Sequence, residues 1–160
     1  MSDEPPIRDV YDRIASHFTK TREYPWPEIP AFLDDRRGTV GVDVGCGNGR
    51  HTEPLAGVVD RSIGIDVSRE LLAEAIERRN NRGFEAAFLL GEATALPISD
   101  RVVDLGLYVA TIHHLRTRTA RIKSLDELAR VLRTDGIALV SAWSTTHDRF
   151  DRETGFDTTV

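Results

Sequence analysis

Val40-Gly41-Val42-Asp43-Val44-Gly45-Cys46-Gly47-Asn48-Gly49-Arg50 is the stretch from which the rest of this 160-residue chain can be read. An apolar, β-branched run ends beside an acidic residue and opens into glycines at alternate positions. That pattern predicts a buried parallel strand feeding a tight turn whose backbone can approach a ligand closely. The spacing also separates cofactors. A dinucleotide fingerprint, G-x-G-x-x-G, needs its third glycine where the next helix packs on the strand. Counted from Gly45 and Gly47, that position is Arg50, so the dinucleotide register fails.

The Asp-x-Gly-x-Gly-x-Gly spacing instead resembles the loop of Rossmann-like methyltransferases that use S-adenosyl-L-methionine. Asp43 suits that cofactor, whose ammonium and sulfonium a carboxylate attracts; it would repel a pyrophosphate. A strand, turn and helix with no ligand is the plain alternative. Further along, Asp66 ends a second apolar run, Arg61 to Ile65, about twenty residues beyond the glycines. A carboxylate there matches the two hydroxyls of a ribose, although a strand-ending Asp can also be a simple helix cap. Glu92 follows a third run, Phe84 to Leu90, where an acid can accept an adenine amino group while the Ala93 N–H reads a ring nitrogen. As a lone residue it could equally be a solvated loop glutamate.

Outward from the loop, hydrophobic periodicity sets the elements. Ile7, Val10, Tyr11, Ile14, Ala15 and Phe18 recur at three and four residues, an amphipathic helix after Pro5-Pro6. A break at Tyr24-Pro25-Trp26-Pro27 precedes a short helix with Ile29, Phe32 and Leu33, ended by Gly38. Strands are expected at 39–44, 61–65, 84–90, 102–109 and 137–143. Helices are expected from Arg50 to about Gly57, from Ser68 to about Asn80, and from Thr117 to Arg133 with Gly136 closing the last. Strands alternating with helices predict an α/β fold, a doubly wound, mainly parallel sheet. One domain fills the chain: an N-terminal helical cap at 7–37, a Rossmann-like core at 38–143, and a polar, weakly ordered tail at 144–160.

Composition excludes several classes. No apolar run approaches the ~18 residues of a membrane span, and Met1-Ser2-Asp3-Glu4-Pro5-Pro6 lacks a signal-peptide layout, so a cytoplasmic protein is expected. Cys46 is the only cysteine, which leaves no disulfide framework and no cysteine zinc site. Without an evident base beside it, Cys46 is expected to be a small loop residue. A net charge of −5 argues against a general nucleic-acid-binding surface. Lysine is confined to Lys20 and Lys123, and this arginine-for-lysine, acidic balance fits a salt-adapted or GC-rich organism.

One local exception is basic. Tyr108-Val109-Ala110-Thr111-Ile112-His113-His114-Leu115 runs off the fourth strand, followed by Arg116, Arg118 and Arg121. Adjacent histidines point apart on a regular element and no carboxylate or cysteine is suitably spaced, so no metal site is expected. One of the histidines is expected to line an acceptor pocket. The arginines suit an anionic acceptor or phosphates, or else form a solvated helix face.

Taken together, these residues resemble the family that methylates 5-carboxymethyluridine at the tRNA wobble position, in its eukaryotic and archaeal forms. The resemblance is carried by Val10-Tyr11-Asp12-Arg13-Ile14-Ala15-Ser16-His17-Phe18, Thr21-Arg22 and Pro25-Trp26-Pro27. It continues through Asp43 to Gly49, Leu96-Pro97, Ile112-His113-His114-Leu115, Arg121, Leu128 to Arg133 and the Trp143 strand. It implies a strand order of 3-2-1-4-5 and an N-terminal segment folded over the cofactor. The implied cofactor-binding residues are Tyr11, Arg22, Asp43, Gly45, Cys46, Gly47, Asn48, Gly49, Asp66, Val67, Glu92, Ala93, Tyr108 and Val109, with Arg22 facing the methionine carboxylate. His113, His114 and Arg121 would position the acceptor. Implied partners are the tRNA anticodon loop and a small zinc-binding activator protein, joined as a heterodimer through the edge strand 84–90. The chain alone is then expected to be poorly soluble or to bind the cofactor weakly. The family's final strand pair has no counterpart before Val160, so a sheet lacking those C-terminal strands is expected. A small-molecule methyltransferase acting on a quinone or carboxylic acid, and a non-catalytic subunit that keeps the cofactor fold, remain open.

Overall fold

β1 (Gly38–Val44) is the centre of the sheet because its alternate side chains can be buried on both faces. The computed structural model describes residues 5–142; Trp143 and the 144–160 tail lie outside the described residues. β1 is flanked by β2 (Val59–Asp66) and β4 (Val103–Val109), and these by β3 (Ala87–Leu90) and β5 (Leu132–Ser141). All pairings are parallel, and the order is β3-β2-β1-β4-β5. The order reverses between β1 and β4, the point beside which open α/β sheets bind ligands.

Each face of the sheet has its own core. Val42, Val44, Ile65, Tyr108 and Val103 pack with Leu128 and Val131 of α5 (Arg118–Val131). Leu105, Leu107 and Val109 point the other way, against Ile29 and Leu33 of α2 (Glu28–Leu33) and Leu55 of α3 (Thr52–Ala56). Helices on both faces make the sheet doubly wound. α4 (Arg69–Arg82) starts on Ser68, whose hydroxyl accepts the Leu71 N–H at 3.1 Å, and stops on Gly83 at φ 69°. The loop before β4 is held by Arg130, which donates to Asp100, to Glu127 and to the carbonyls of Leu96 and Ile98. Among the described residues no helix is long and apolar enough to cross a membrane.

Two regions differ most from the sequence reading, while other ends shift by a residue or two. The third strand begins at Ala87, where its pairing with Ile63 of β2 starts, rather than at Phe84; the preceding Ala86 carbonyl accepts from Arg79 at 3.1 Å. The last helix ends at Val131, and Leu132 is already extended and paired with Val103. The register then slips, so that Leu105 faces Ile137. Gly136 lies inside this irregular strand, where a Cβ would sit 2.7 Å from the Val103 carbonyl oxygen. It serves close backbone approach and does not stop a helix.

Candidate active site

A cavity of about 960 Å³ opens at the carboxyl ends of β1, β2 and β4. Its floor is the glycine turn. Gly45, Gly47 and Gly49 have φ of 74°, 53° and 79°, values that side chains other than glycine's resist. The turn is anchored by the Gly45 and Cys46 N–H groups, which donate to the Ile65 carbonyl at 2.8 and 3.0 Å. Gly45 is the tightest position: a Cβ there would lie 2.1 Å from Thr111 Oγ1, at the end of β4. Cys46 is buried and its thiol is pushed well above its ordinary pKa, first by burial and then by the Asp66 and Asp43 charges. It stays protonated and unreactive.

Asp66 closes β2 at the cavity wall. One carboxylate oxygen accepts the Gly47 N–H and the other the Ser68 N–H, both at 2.9 Å. Burial raises its pKa, and those two backbone donors oppose the rise. A carboxylate has about four acceptor sites, so this one keeps capacity for hydroxyl donors. Val67, Gly91, Glu92 and Ala93 continue the same wall, and Gly91 is tied back by its N–H to the Asp66 carbonyl at 3.0 Å.

The roof is α1 (Ile7–Thr21), whose apolar side, Val10, Ile14 and Phe18, faces the cavity. Asp12 fastens it to the start of α4, accepting from the Ser68 hydroxyl at 2.5 Å and the Glu70 N–H at 3.3 Å. At the opposite side, the Tyr11 hydroxyl and His114 Nε2 are hydrogen-bonded at 2.9 Å. The Tyr11 phenol is raised in pKa by burial, then by the Asp66 charge, with Arg22 opposing. His113 stacks obliquely on His114, ring centres 4.3 Å apart, within the 3₁₀ turn Ile112–His114. Burial, and secondarily the charge of His114, push the His113 pKa down to about 4.

The fourth side is polar. Asn48 is buried and bridges two arginine residues: its amide donates to the Arg22 carbonyl at 2.9 Å, and its oxygen accepts the Arg50 N–H at 3.3 Å. The Arg22 guanidinium covers the Phe18 ring at 4.3 Å, and that of Arg50 lies 5.3 Å from the Trp26 ring centre. His51 lines the cavity beside them.

Most expected residues meet here: Tyr11, Arg22, Gly45, Cys46, Gly47, Asn48, Asp66, Val67, Glu92, Ala93, Val109, His113 and His114 all line the cavity. Four do not. Asp43 is 1% exposed and turned toward α3, where the Thr52 hydroxyl donates to it at 2.7 Å. Burial raises its pKa to about 7, and its position inside the α3 layer keeps it away from the cavity surface. Tyr108 points to the opposite face and donates to Ser124 Oγ at 2.7 Å. Strand alternation sends both side chains into the layers, away from the strand ends. Gly49 lets the loop pack on α4, since a Cβ would sit 3.2 Å from that of Ala75. Arg121 donates to the Leu115 carbonyl at 2.6 Å and braces the histidine turn from behind. The sequence reading missed Trp26, Arg50, His51 and Thr111 as cavity residues. A Trp between two prolines, and a polar pair directly after the glycines, were the available signals.

Among the described residues, no group of three or more His, Cys, Asp or Glu could hold a metal ion. The donors present suit a nucleoside carrying a charged tail: Asp66 with acceptor capacity left, Glu92 beyond it, and arginines with an unpartnered buried imidazole nitrogen at the far end.

Comparison with known proteins agrees. The family described as "Methyltransferase domain" matches residues 42–140. The tRNA (carboxymethyluridine(34)-5-O)-methyltransferase ALKBH8 of Mus musculus is 38% identical over 139 residues, covering 86% of this chain and 20% of that protein. The enzyme of the same name from Saccharomyces cerevisiae is 33% identical over 141 residues, covering 86% and 48%. This chain therefore spans from a fifth to about half the length of these curated relatives. Among solved structures, a methyltransferase in complex with the Haloferax volcanii Trm112 methyltransferase activator superposes with a TM-score of 0.68. It is 24% identical, over 82% of this chain and 58% of that one, a likeness of fold. A Methanococcus maripaludis protein assigned as an S-adenosyl-L-methionine-dependent methyltransferase gives 0.69 at 15% identity, over 88% and 66%. The chain belongs to the methyltransferase-domain family: it is a class I, Rossmann-like methyltransferase whose cofactor is S-adenosyl-L-methionine.

Proposed function

We propose that this domain methylates the carboxylate of 5-carboxymethyluridine at the wobble position of tRNA. The observation that carries the reading is the 33–38% identity to relatives named for that reaction in animals and yeast. Bound S-adenosyl-L-methionine supplies a methyl carbon on a sulfonium, which a carboxylate oxygen can displace with no proton transfer.

The acceptor defines what the chain must do. A carboxylic acid with a pKa near ~4 is already ionised at neutral pH, so the site needs placement and water exclusion, and no general base. His113 fits that role because its low pKa keeps the ring uncharged. A neutral imidazole orients an oxygen without the tight ion pairing that would blunt its nucleophilicity. His114 is itself oriented by Tyr11, which joins the acceptor wall to the α1 roof. Arg121, through the Leu115 carbonyl, is a positioning residue for this turn.

The same reading includes a small zinc-binding activator and a heterodimer. β3 supports it. This edge strand exposes Leu89 and Leu90 and carries none of the charge that blunts a free edge. The test is methyl transfer to tRNA bearing 5-carboxymethyluridine, with and without activator, against tRNA lacking that group. Turnover confined to the carboxymethylated tRNA is expected; equal labelling of both would overturn the acceptor.

A further inference from the structure

β3 and β5 are the two ends of the sheet, and β5 is the longer. Among the described residues β5 pairs only with β4, so its outer edge has no strand partner. Its charges, Arg133 and Asp135, lie in the irregular first half, where Arg133 is bound to Asp104; from Gly136 to Ser141 the edge carries none. The apolar surface continues from this edge onto α5. Ile122, Leu125 and Ala129 follow Arg118 at helical spacing, one exposed stripe beside the Ser124, Leu128 and Val131 face that packs on the sheet. On the strand, Val140 shares the α5 side with Ala138, and Ile137 faces the other layer. Ile122, Leu125, Ile137 and Val140 are each between 39% and 44% exposed. A long, uncharged, apolar edge is a template for another strand.

Geometry, charge and size select a second copy of this chain as the occupant. A Cβ on Gly106 would meet both Ala138, at 2.9 Å, and Leu128, at 3.4 Å, so α5 lies above β4 and β5. Two β5 strands paired antiparallel about a two-fold axis normal to the sheet carry both α5 helices on the same face. With strands ~4.8 Å apart, the helix axes then lie roughly 10–14 Å from one another, and helices ~10–12 Å across meet along Ile122, Leu125 and Ala129. The charges fit this antiparallel arrangement. Arg118 and Asp126 are exposed and enter no ion pair among the described residues. The Arg118 end of one helix passes the Asp126 side of the other, twice over. A face about 25 Å long and two ~10 Å layers deep buries on the order of 1,000 Å² over both copies, the lower limit of a specific interface.

We propose that the outer edge of β5 and the α5 stripe form the interface of a symmetric homodimer, in which a second copy continues the sheet from five strands to ten. The antiparallel joint turns the two cavities to opposite ends of the sheet, so each copy keeps its own site. β3 becomes the outer edge at both ends and stays open to an activator. The inference concerns assembly and is independent of the tRNA acceptor, so either can fail without the other.

Sedimentation velocity of the full chain across the micromolar range tests it, with S-adenosylhomocysteine binding as the check on the fold. The mass should rise with concentration from 17.9 kDa toward twice that value. Leu125→Glu and Val140→Lys should each raise the dissociation constant about tenfold or more, because a charge would be buried in the joint, while S-adenosylhomocysteine binding stays unchanged. Leu89→Glu, on the opposite edge, should leave the dimer intact. Arg118→Asp and Asp126→Arg should each weaken it, and the double variant should restore it. A chain that stays monomeric, with β5 amides either freely exchanging or shielded by residues 143–160, would overturn the proposal. So would aggregates without a defined dimer, a dimer broken by Leu89→Glu but not by Val140→Lys, or a double variant that recovers nothing.

Discussion

Gly45 shows how much one residue can decide. Its backbone is left-handed and its α-carbon faces Thr111 at a separation that excludes any side chain. Gly45→Ala combines a positive-φ cost of ~1–2 kcal/mol with overpacking of ~1–3 kcal/mol. Thermal unfolding should therefore show a loss of roughly 2–5 kcal/mol, and cofactor binding should disappear with it. His51 supplies a pH test. Its folded pKa of about 3 lies below the ordinary value of 6.5, so the unfolded chain binds the extra proton between these limits. Its contribution is full above about pH 6.5 and is lost as the pH falls toward 3, at no more than ~1.4 kcal/mol per pH unit. Asp43 opposes this, because its raised pKa favours the native state at low pH and the benefit fades as pH rises through about 7. Comparing wild type with His51→Gln isolates the histidine: the variant should lose less stability between pH 6.5 and 4, and identical slopes would contradict the assignment. The glycines, Asp66 and Glu92 were legible in the sequence because turn chemistry and strand ends fix where they point. Asp43, Tyr108 and Arg121 were not, since their roles depend on which layer a side chain enters. His51 was silent because only the fold brings Trp26 and Arg78 to it.

Among the elements, α1 is the one that lies outside the sheet's own layers, over the cavity. It meets α4 and the histidine turn and contributes no strand or sheet-facing layer. Asp12 is one of its polar fastenings, beside Tyr11 on His114 and Ser16 on Glu74, and the Ser68 hydroxyl and Glu70 N–H it binds both belong to the start of α4. Asp12→Ala should cost about 1 kcal/mol at this partly exposed site. Its clearer signature should be faster amide hydrogen exchange across residues 7–21, with β1 and β4 unchanged. Uniform acceleration over the whole chain would instead mean that α1 is integral to the core. The amphipathic spacing announced α1 as a helix, but not that its apolar side would roof a cavity. The α5–β5 boundary was misplaced for a related reason: Gly136 has the chemistry of a helix stop, and only pairing with Val103 reveals the strand around it.

At the scale of the molecule, the five parallel strands follow the sequence pattern closely, because βα alternation leaves few ways to bury both faces, and their order is the one the family resemblance implied. The edges are less complete. β3 exposes Leu89 and Leu90, and Ile76 of neighbouring α4 is also open. Co-expression with a zinc-binding activator should raise soluble yield and cofactor affinity together; a chain equally soluble and active alone would remove the need for that partner. The central claim, methyl transfer to a tRNA carboxylate, is tested most directly by the chemistry of the product. With radiolabelled S-adenosyl-L-methionine and tRNA bearing 5-carboxymethyluridine, the account predicts label in the tRNA that mild base releases as methanol, the behaviour of a methyl ester. Label that survives base, or no label in that tRNA, would contradict it.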